Sequence, residues 1–346
     1  MTNALGLLCL PLAAAQSATP NNAATTSLNA AVQASLSAGA DVRTAQANLD
    51  KAAASLKATL ADPSALVAAQ LQAQQAADLA AVQLQAARLG NVQNTVNAYT
   101  VLFTAQKEVA LSTLQVQSDT KNQQVVQVKL GVKNATALDL KNAQSSLSAS
   151  TQNLADAGAQ VNIAAQKLVV LTGLPAATRA SGLPQIPALK ASQTSLVAGL
   201  NKRLPSVVQA QQATDLAQLN VTLADNDFTP AQTLSSARVT LANAQRTLES
   251  AGKNATTALS SAYQAAANAQ QLFGVAVQKE ANAQTNYQQN QTRLASGLIS
   301  SVDLLASQLT LAQAQQNRVA AQASALNTLA ALSVAAGTDL TGIGGR

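Results

Sequence analysis

The sequence contains no histidine, no tryptophan and only one cysteine. Without an imidazole, a serine or cysteine nucleophile lacks its usual general base. The commonest zinc sites need histidine or several cysteines, so they cannot be assembled either. These absences argue against enzymatic function, and we expect no catalytic residue, no cofactor and no metal site.

Aromatic and charged side chains are also scarce, at 2% and 10% of the residues. A globular core of ordinary shape would use far more Phe, Tyr and Trp, so we expect a thin interior of Ala, Leu and Val between closely packed long helices. The 21 basic and 15 acidic residues are scattered singly along the chain. Because nucleic-acid binding needs clustered basic side chains, we expect no nucleic-acid partner.

Residues 1–15 resemble a secretory signal peptide. An apolar run around Cys9 ends in alanines just before Gln16. This is the pattern of an apolar h-region and its cleavage site, although the usual basic n-region is missing. Lipidation of Cys9 is the alternative, but it needs small residues where Leu7 and Leu8 stand. We therefore expect an exported protein that begins with a disordered polar leader at residues 16–25.

Long stretches without proline follow, with apolar residues three and four positions apart, as in the seam of a coiled coil. One stretch runs from Ser64 to Leu130, which at ~1.5 Å per residue corresponds to a helix of roughly 100 Å. The other begins at Pro230. The predicted seams are Leu79, Val82, Ala86, Leu89, Val92, Val96, Tyr99 and Phe103 in the first stretch, and Leu234, Ala237, Leu241, Ala244, Leu248, Ala251, Ala255, Ala258 and Ala262 in the second.

The same plan occurs twice, which indicates a duplicated unit. Each half has a short helix, a long helix, a turn and a medium helix that ends at a glycine. We predict an all-α fold of long antiparallel coiled-coil helices, with the short and medium helices stacked end to end along the long one. Matching landmarks are Pro63 and Pro230, Tyr99 and Tyr263, Gly131 and Gly297, and Gly173 and Gly337. The predicted segments are repeat 1 at 26–173, a Pro/Gly linker at 174–195, repeat 2 at 196–340 and a tail at 341–346.

Four residues inside the long helices need a separate explanation. Gly90 and Gly252 each destabilise a helix by ~1 kcal/mol relative to alanine, so we interpret them as sites of close helix contact. Tyr99 and Tyr263 occupy matching places in the two halves. We interpret these tyrosines as packing residues of the seam rather than as ligands.

The segment from Arg293 to Gln308 has a glycine turn, then serines, an acid and a leucine pair. With the repeat ending Leu171 to Pro175 and the two Ala/Gln-rich repeats, it resembles the outer membrane factor family of TolC-type efflux and export tunnels. The resemblance covers nearly all of the chain after the signal peptide. It implies a homotrimer whose repeats form a periplasmic α-helical tunnel in the cell envelope. It also implies two partners, a periplasmic adaptor (membrane fusion) protein and an inner-membrane pump.

The resemblance further implies two kinds of functional residue. The turns between helices would be tips that dock the adaptor, and an acid after each tip would ring the tunnel constriction, where converging carboxylates favour cations. An acid at this position is equally explained as an N-cap or first-turn residue that the helix dipole favours. Ala306 and Ile299 stand where the family has a second acid and a basic residue. The tip residues are Gly131, Val132, Lys133, Asn134, Gly297, Leu298, Ile299 and Ser300, and the constriction residues are Asp303 and Asp139.

One departure from the family lies between the short and long helices. There the family carries β-hairpins that build an outer-membrane barrel, and a spanning strand needs ~9–11 residues. This chain has only residues 62–64 in one repeat and about 225–233 in the other. We therefore expect little or no β-barrel. We also expect no apolar run of spanning length after the signal peptide, and indirect membrane association.

Two functions follow from these observations. The first is a TolC-like outer membrane factor, a trimeric conduit in an efflux or export system. The alternative is a non-conducting periplasmic or envelope coiled-coil scaffold derived from that family. The two differ in closure, because a conduit needs a closed ring whereas a scaffold can be a monomeric bundle.

Overall fold

A computed structural model of the chain describes residues 25–343. The predicted signal peptide, nearly all of the predicted leader and the end of the tail lie outside the described residues. The first half contains strand β1 (Thr25–Thr26) and the helices α1 (Leu28–Ala38), α2 (Ala40–Ala61), α3 (Val67–Gly131) and α4 (Ala137–Thr172). The second half contains strand β2 (Arg179–Ala180) and the helices α5 (Gln193–Val197), α6 (Leu200–Arg203), α7 (Pro205–Ala224), α8 (Ala231–Ala295) and α9 (Ser301–Ala336).

The two halves match helix for helix from α3 and α8 onward. Helices α3 and α8 are both 65 residues long, and α4 and α9 are both 36 residues long. Their ends are separated by one constant offset. It is 164 positions from Val67 to Ala231, from Gly131 to Ala295, from Ala137 to Ser301 and from Thr172 to Ala336. The predicted duplication is therefore confirmed.

Short-range sequence signals explain the helix boundaries. Gly39 separates α1 from α2, and a methyl group there would lie 2.7 Å from the carbonyl oxygen of Ser35. Pro205 occupies the first turn of α7, where its missing N–H is harmless. Helices α4 and α9 end at Gly173 and Gly337, whose φ angles of 69° and 65° are left-handed. Glycine adopts this conformation without steric cost, so the predicted glycine stops are confirmed.

The helices form one curved layer in the order α4, α3, α9, α8. Helix α2 packs on the first part of α3, and α4 packs on the last part of α3. In the same way, α7 packs on the first part of α8, and α9 packs on the last part of α8. This is the predicted end-to-end arrangement of the short and medium helices. Helix α9 packs against α3 as well as α8, and so joins the two halves.

Two buried clusters form the core, and α9 contributes to both. The first surrounds Tyr99 and includes Leu28, Leu168 and Leu326. The second surrounds Leu259 and includes Leu200 and the α9 residues Leu329 and Leu332. Different faces of α9 therefore contribute to different clusters. Strands β1 and β2 pair in parallel beside the first cluster.

The predicted seams are partly wrong in both long helices. In α3, the predicted residues Leu89, Val92, Val96 and Tyr99 are buried. On either side of them the buried residues are Ala80, Leu84 and Leu102, while the predicted Leu79, Val82, Ala86 and Phe103 are only half-buried. In α8, Ala258 is exposed, and the buried position is Leu259. A straight helix drifts by ~20° per heptad relative to a strict 3.5-residue spacing, so a long uninterrupted seam must shift its register.

The packing interpretation of Tyr99 is confirmed. Its ring is fully buried, and its hydroxyl lies 2.9 Å from the carbonyl oxygens of both Thr26 and Gly182. The hydroxyl also accepts the Ser181 N–H at 3.2 Å. Tyr99 thus ties α3 to both strand segments. Tyr263 is partly buried against the second cluster.

The interpretation of Gly90 and Gly252 as sites of close helix contact is wrong. A methyl group at either position would find no other atom within 4 Å. Both glycines are half-buried, but no atom of another element comes that close to them.

The expectation that no apolar run of spanning length follows the signal peptide is also wrong. Helix α9 is long enough to span a membrane, and its most apolar 18-residue window has a mean hydropathy of 1.4. Within that window, 56% of the residues are buried inside the bundle. The physical reason is that α9 supplies apolar side chains to both core clusters.

The connections between short and long helices are as brief as expected. Residues 62–66 join α2 to α3, and residues 225–230 join α7 to α8. Both connections are turns rather than strands. They lie at the end of the long helices opposite to the two helix-hairpin turns at 132–136 and 296–300. We call those two hairpin turns the tips.

Candidate functional site

The two tips share one backbone conformation. Each contains a single left-handed residue, Lys133 with φ 61° in the first tip and Gly297 with φ 69° in the second. Lys133 is the only residue other than glycine with a positive φ between residues 25 and 343. Its position differs from that of Gly297 by the same offset that relates the helices.

The hydrogen bonds of the tips match one for one. The Lys133 N–H donates to the Leu130 carbonyl at 3.0 Å, and the Gly297 N–H donates to the Leu294 carbonyl at 2.9 Å. The next residue closes a wider loop in each tip. The Asn134 N–H donates to the Lys129 carbonyl at 2.7 Å, and the Leu298 N–H donates to the Arg293 carbonyl at 2.9 Å. These bonds satisfy helix-end carbonyls in the manner of a Schellman motif.

The sequence landmark Gly131 is therefore matched to the wrong residue. Gly131 is the last residue of α3, has no positive φ and would tolerate a methyl group without contact. Lys133 is the structural equivalent of Gly297. A glycine two positions away concealed this relation, because sequence reasoning assigned the turn to the glycine rather than to the lysine.

The predicted constriction acids are capping residues in the chain. Asp139 is the third residue of α4, and Thr136 is its N-cap. The Thr136 N–H donates to the Asp139 carboxylate at 2.8 Å, and the Asp139 N–H donates to the Thr136 hydroxyl oxygen at 3.1 Å. Asp303 and Ser300 repeat the arrangement at 3.0 and 3.2 Å. Each pair forms a capping box that begins the return helix.

The same contacts control the ionisation of the acids. Hydrogen bonds from the Thr136 backbone and hydroxyl hold the pKa of Asp139 below its ordinary value of 3.8. Hydrogen bonds from the Ser300 backbone and hydroxyl lower the pKa of Asp303 in the same way, helped by the Arg293 charge. Both carboxylates are exposed to solvent, so they carry negative charge at neutral pH.

The tips also present apolar side chains to solvent. Val132 and Leu298, which were predicted as tip residues, are mostly exposed. Ile299 and Leu294 are partly buried, and Gly131, Lys133, Asn134, Gly297 and Ser300 are exposed. Sequence reasoning missed Leu138, an exposed leucine in the first turn of α4. Its signal was an apolar residue in the first turn of a helix, two positions after the N-cap Thr136.

A long groove of about 1120 Å³ lies on the concave face of the helix layer. Its walls come from α3, α4, α8 and α9. Most of its lining side chains are small or polar. They include Ser112, Gln115, Asn153, Gln160, Gln313 and Asn317, with the charged residues Glu108, Asp156 and Lys279. Leu111, Leu272, Val275 and Leu309 add large apolar side chains to the same walls.

The described residues contain no group of three His, Cys, Asp or Glu side chains that could hold a metal ion. Asp139 accepts hydrogen bonds from Thr136, and Asp303 accepts them from Ser300. The two acids therefore lie in separate capping boxes, one at each tip.

Comparison with known proteins gives a match by structure alone. No protein-family model and no curated protein sequence matches the chain. A membrane protein from Pseudomonas aeruginosa is similar over 92% of this chain and 91% of its own, with a TM-score of 0.67 and 15% identity. The Campylobacter jejuni CmeC outer membrane channel is similar over 90% and 85%, with a TM-score of 0.66 and 14% identity.

The Neisseria gonorrhoeae MtrE outer membrane channel, in its open state, is similar over 91% of this chain and 89% of its own, with a TM-score of 0.64 and 14% identity. The chain has the TolC-type fold. The resemblance predicted from the tip and repeat sequences is thereby confirmed at the level of the fold. These three structures are described as membrane proteins or channels, and none of them as an enzyme.

Proposed function

We propose that the chain is a TolC-like outer membrane factor, the tunnel component of an efflux or export system in the cell envelope. In this proposal three copies form a closed ring, the tips dock a periplasmic adaptor, and an inner-membrane pump feeds the tunnel. No step requires catalysis, a cofactor or a metal. The fold shared with outer membrane channels supports the proposal.

The observation that carries the proposal is the open helix layer. Helices α4 and α8 lie at its two edges and do not pack on each other. Both carry apolar side chains that the chain leaves exposed, Ile163 and Val170 on α4 and Val277 on α8. A monomeric bundle would bury these residues by closing on itself. Joining the α4 edge of one copy to the α8 edge of the next would cover them, and such a head-to-tail contact closes into a ring.

The concave groove gives a second reason. If rings form in this way, the groove becomes part of the inner surface, and its Ser, Asn and Gln side chains would line a hydrated passage. The alternative function, a non-conducting envelope scaffold, leaves the edges free to bind other proteins. The same groove would then be an outer surface.

Sedimentation equilibrium of the purified chain tests the proposed ring. We expect a trimer, and a Val277→Ser variant should shift it toward monomer because this valine lies on the proposed contact edge. The control is Leu298→Ser, which also replaces an exposed apolar side chain but does so at a tip. A monomer at every concentration would exclude the conduit and favour the scaffold.

The constriction has a separate test based on cysteine cross-linking. With Cys9 replaced by serine, Asp303→Cys would be the only cysteine in the chain. We propose that the three copies of this residue converge, so mild oxidation should give disulfide-linked dimers within the trimer. Asp215→Cys, an exposed acid on α7, is the control. A trimer that forms no disulfide at position 303 would remove Asp303 from the constriction.

A further inference from the structure

A second cavity, which we call the linker pocket, shares no lining residue with the concave groove. Its volume is about 1110 Å³, and its walls come from α1, α2, α3, the end of α9, the linker residues 187–191 and the loop at 338–342. We propose that the linker pocket binds an amphipathic anion, a small molecule with an apolar body and one acidic head group. The inference needs neither a closed ring nor a passage, because a single chain supplies every wall.

Hydrogen bonds between distant segments hold the walls of the linker pocket. The Thr95 hydroxyl of α3 lies 2.8 Å from the Ser35 hydroxyl of α1, and both side chains are buried. The Gln270 side chain of α8 donates to the Pro187 carbonyl of the linker at 3.0 Å. The linker therefore has a fixed place over the helices, and the linker pocket is a built part of the fold.

The base of the linker pocket is apolar and its rim is polar. The base consists of the buried residues Val42, Leu89, Val92 and Leu329. Exposed polar side chains on the rim include Gln33, Ser37 and Gln85. Cavities of ~300–1,000 Å³ with a mainly apolar interior and a few polar groups are typical binding sites for small molecules. The base would accommodate an apolar body, and the rim would meet a polar head group.

Two cations stand at the rim and favour an anionic head group. Arg88 on α3 and Lys190 in the linker both line the pocket and are exposed. Neither of them enters an ion pair within residues 25–343. Guanidinium and ammonium groups only donate hydrogen bonds, and those to a charged acceptor are the strongest. A carboxylate, phosphate or sulfonate above an apolar body is therefore the complementary ligand.

The acid among the described lining residues is held by its own loop. The Asp339 carboxylate accepts the N–H and the hydroxyl of Thr341 at 2.8 and 2.6 Å, and the Gly342 N–H at 3.2 Å. The Leu340 N–H donates to the buried Ser333 hydroxyl at 3.0 Å, which fixes this loop to α9. Two cations and one acid leave the lining with a net positive charge.

Two fluorescent probes with one aromatic body test the charge preference. Anilinonaphthalene sulfonate is an anion and phenylnaphthylamine is neutral, and both brighten in an apolar site. We expect the sulfonate to bind the full-length chain at one site per chain. Arg88→Gln with Lys190→Gln should weaken that binding by about tenfold or more and leave the neutral probe unaffected. Arg88→Lys with Lys190→Arg keeps the charges and should keep the affinity. Lys279→Gln, in the concave groove, is the control.

A second pair of variants locates the apolar body of the ligand. Leu189→Ser removes a half-buried leucine of the linker pocket and should weaken the binding of both probes. Leu272→Ser is the matched change in the concave groove and should weaken neither. Circular dichroism checks that each variant keeps its helices.

Competition below the micelle-forming concentrations then identifies the head group. Dodecanoate, dodecyl phosphate or both should displace the sulfonate probe, whereas dodecyltrimethylammonium should not. Displacement by the cation, displacement by neither anion, or an equal loss of affinity in Lys279→Gln and the double glutamine variant would overturn the inference. Probe binding that disappears when copies associate would also overturn it, because a neighbouring copy would then fill the linker pocket.

Discussion

A single backbone angle shapes each tip. Lys133 and Gly297 occupy the same left-handed position, yet only one of them is a glycine. A residue with a β-carbon is less stable in this conformation by roughly 1–2 kcal/mol. The first tip therefore stores a local strain that the second avoids, although their hydrogen bonds are alike.

The strain predicts opposite effects for exchanges at the two tips. Lys133→Gly should raise the free energy of unfolding by about 0.5–1 kcal/mol, and Gly297→Lys should lower it by about 1 kcal/mol. Urea unfolding followed by circular dichroism measures both. Lys133→Ala is the control, because alanine keeps the β-carbon and therefore the strain of the positive φ. Destabilisation by Lys133→Gly would contradict the explanation.

The glycines inside the long helices make a second prediction at this scale. Gly90→Ala should stabilise the chain by about 0.5–1 kcal/mol, since the helix gains rigidity and the methyl group meets no other atom. Gly337→Ala should do the reverse. Gly337 has φ 65°, and its new methyl group would lie 2.9 Å from the Arg203 carbonyl oxygen. Thermal unfolding of both variants gives the comparison, and a loss of stability for Gly90→Ala would mean that a neighbour covers that face.

At the scale of elements, the return helices α4 and α9 begin with capping boxes. Each box has an acid whose pKa is lowered by hydrogen bonds from its own N-cap residue. A lowered pKa means that the unfolded chain binds protons more readily than the folded chain. The stability supplied by these acids is complete above pH 3.8 and is lost as the pH falls through the folded pKa values.

This linkage predicts how the capping variants respond to acid. Asp139→Asn with Asp303→Asn should destabilise the chain at pH 7 and make its unfolding less sensitive to pH below about 4. Thermal unfolding from pH 7 to pH 3 tests the prediction. Asp215→Asn is the control, because Asp215 belongs to no capping box. An unchanged acid dependence in the double variant would show that the boxes contribute nothing.

At the scale of the whole molecule, α9 connects the two halves. Leu326 belongs to the cluster around Tyr99, and Leu329 belongs to the cluster around Leu259. The link is reinforced by hydrogen bonds from Gln316 to Glu108 and from Thr100 to Asn327. The halves should therefore unfold together rather than as independent repeats.

Leucine truncation in α9 tests this coupling. Leu326→Ala should lower the free energy of unfolding by about 2–5 kcal/mol, because it leaves a cavity in a fully buried site. Hydrogen exchange should accelerate in α3 as well as in α9. Leu272→Ala is the matched control on α8, where the leucine is 65% exposed, and it should change stability by less than about 0.5 kcal/mol. An effect confined to α9 would mean that the halves are independent.

Much of the fold was predictable because its signals are local. Proline and glycine positions, caps and three-and-four spacing mark helix ends and faces within a few residues of chain. The seam at Leu89 to Tyr99 and the stops at Gly173 and Gly337 follow from such signals. The seam after Ala255 does not follow from such signals. Register drift accumulates over a long helix, and the partner helix decides which residues are buried.

The candidate site was predictable in place but not in detail. The tips were located from a glycine and a following acid, yet the equivalence of Lys133 and Gly297 required backbone angles. The capping role of Asp139 and Asp303 was one of two open interpretations, and the hydrogen bonds establish that role. Their place at a constriction remains part of the proposal, because it depends on how copies assemble.

The sequence by itself determined the helices, their duplication and the class of fold, because short-range patterns and a constant spacing suffice for these features. Only the tertiary structure decided which faces are buried, that α9 serves two cores, and that apolar side chains stay exposed at the tips. The reason is physical. A helix forms from contacts within a few residues, whereas burial and exposure depend on segments that are distant in the chain.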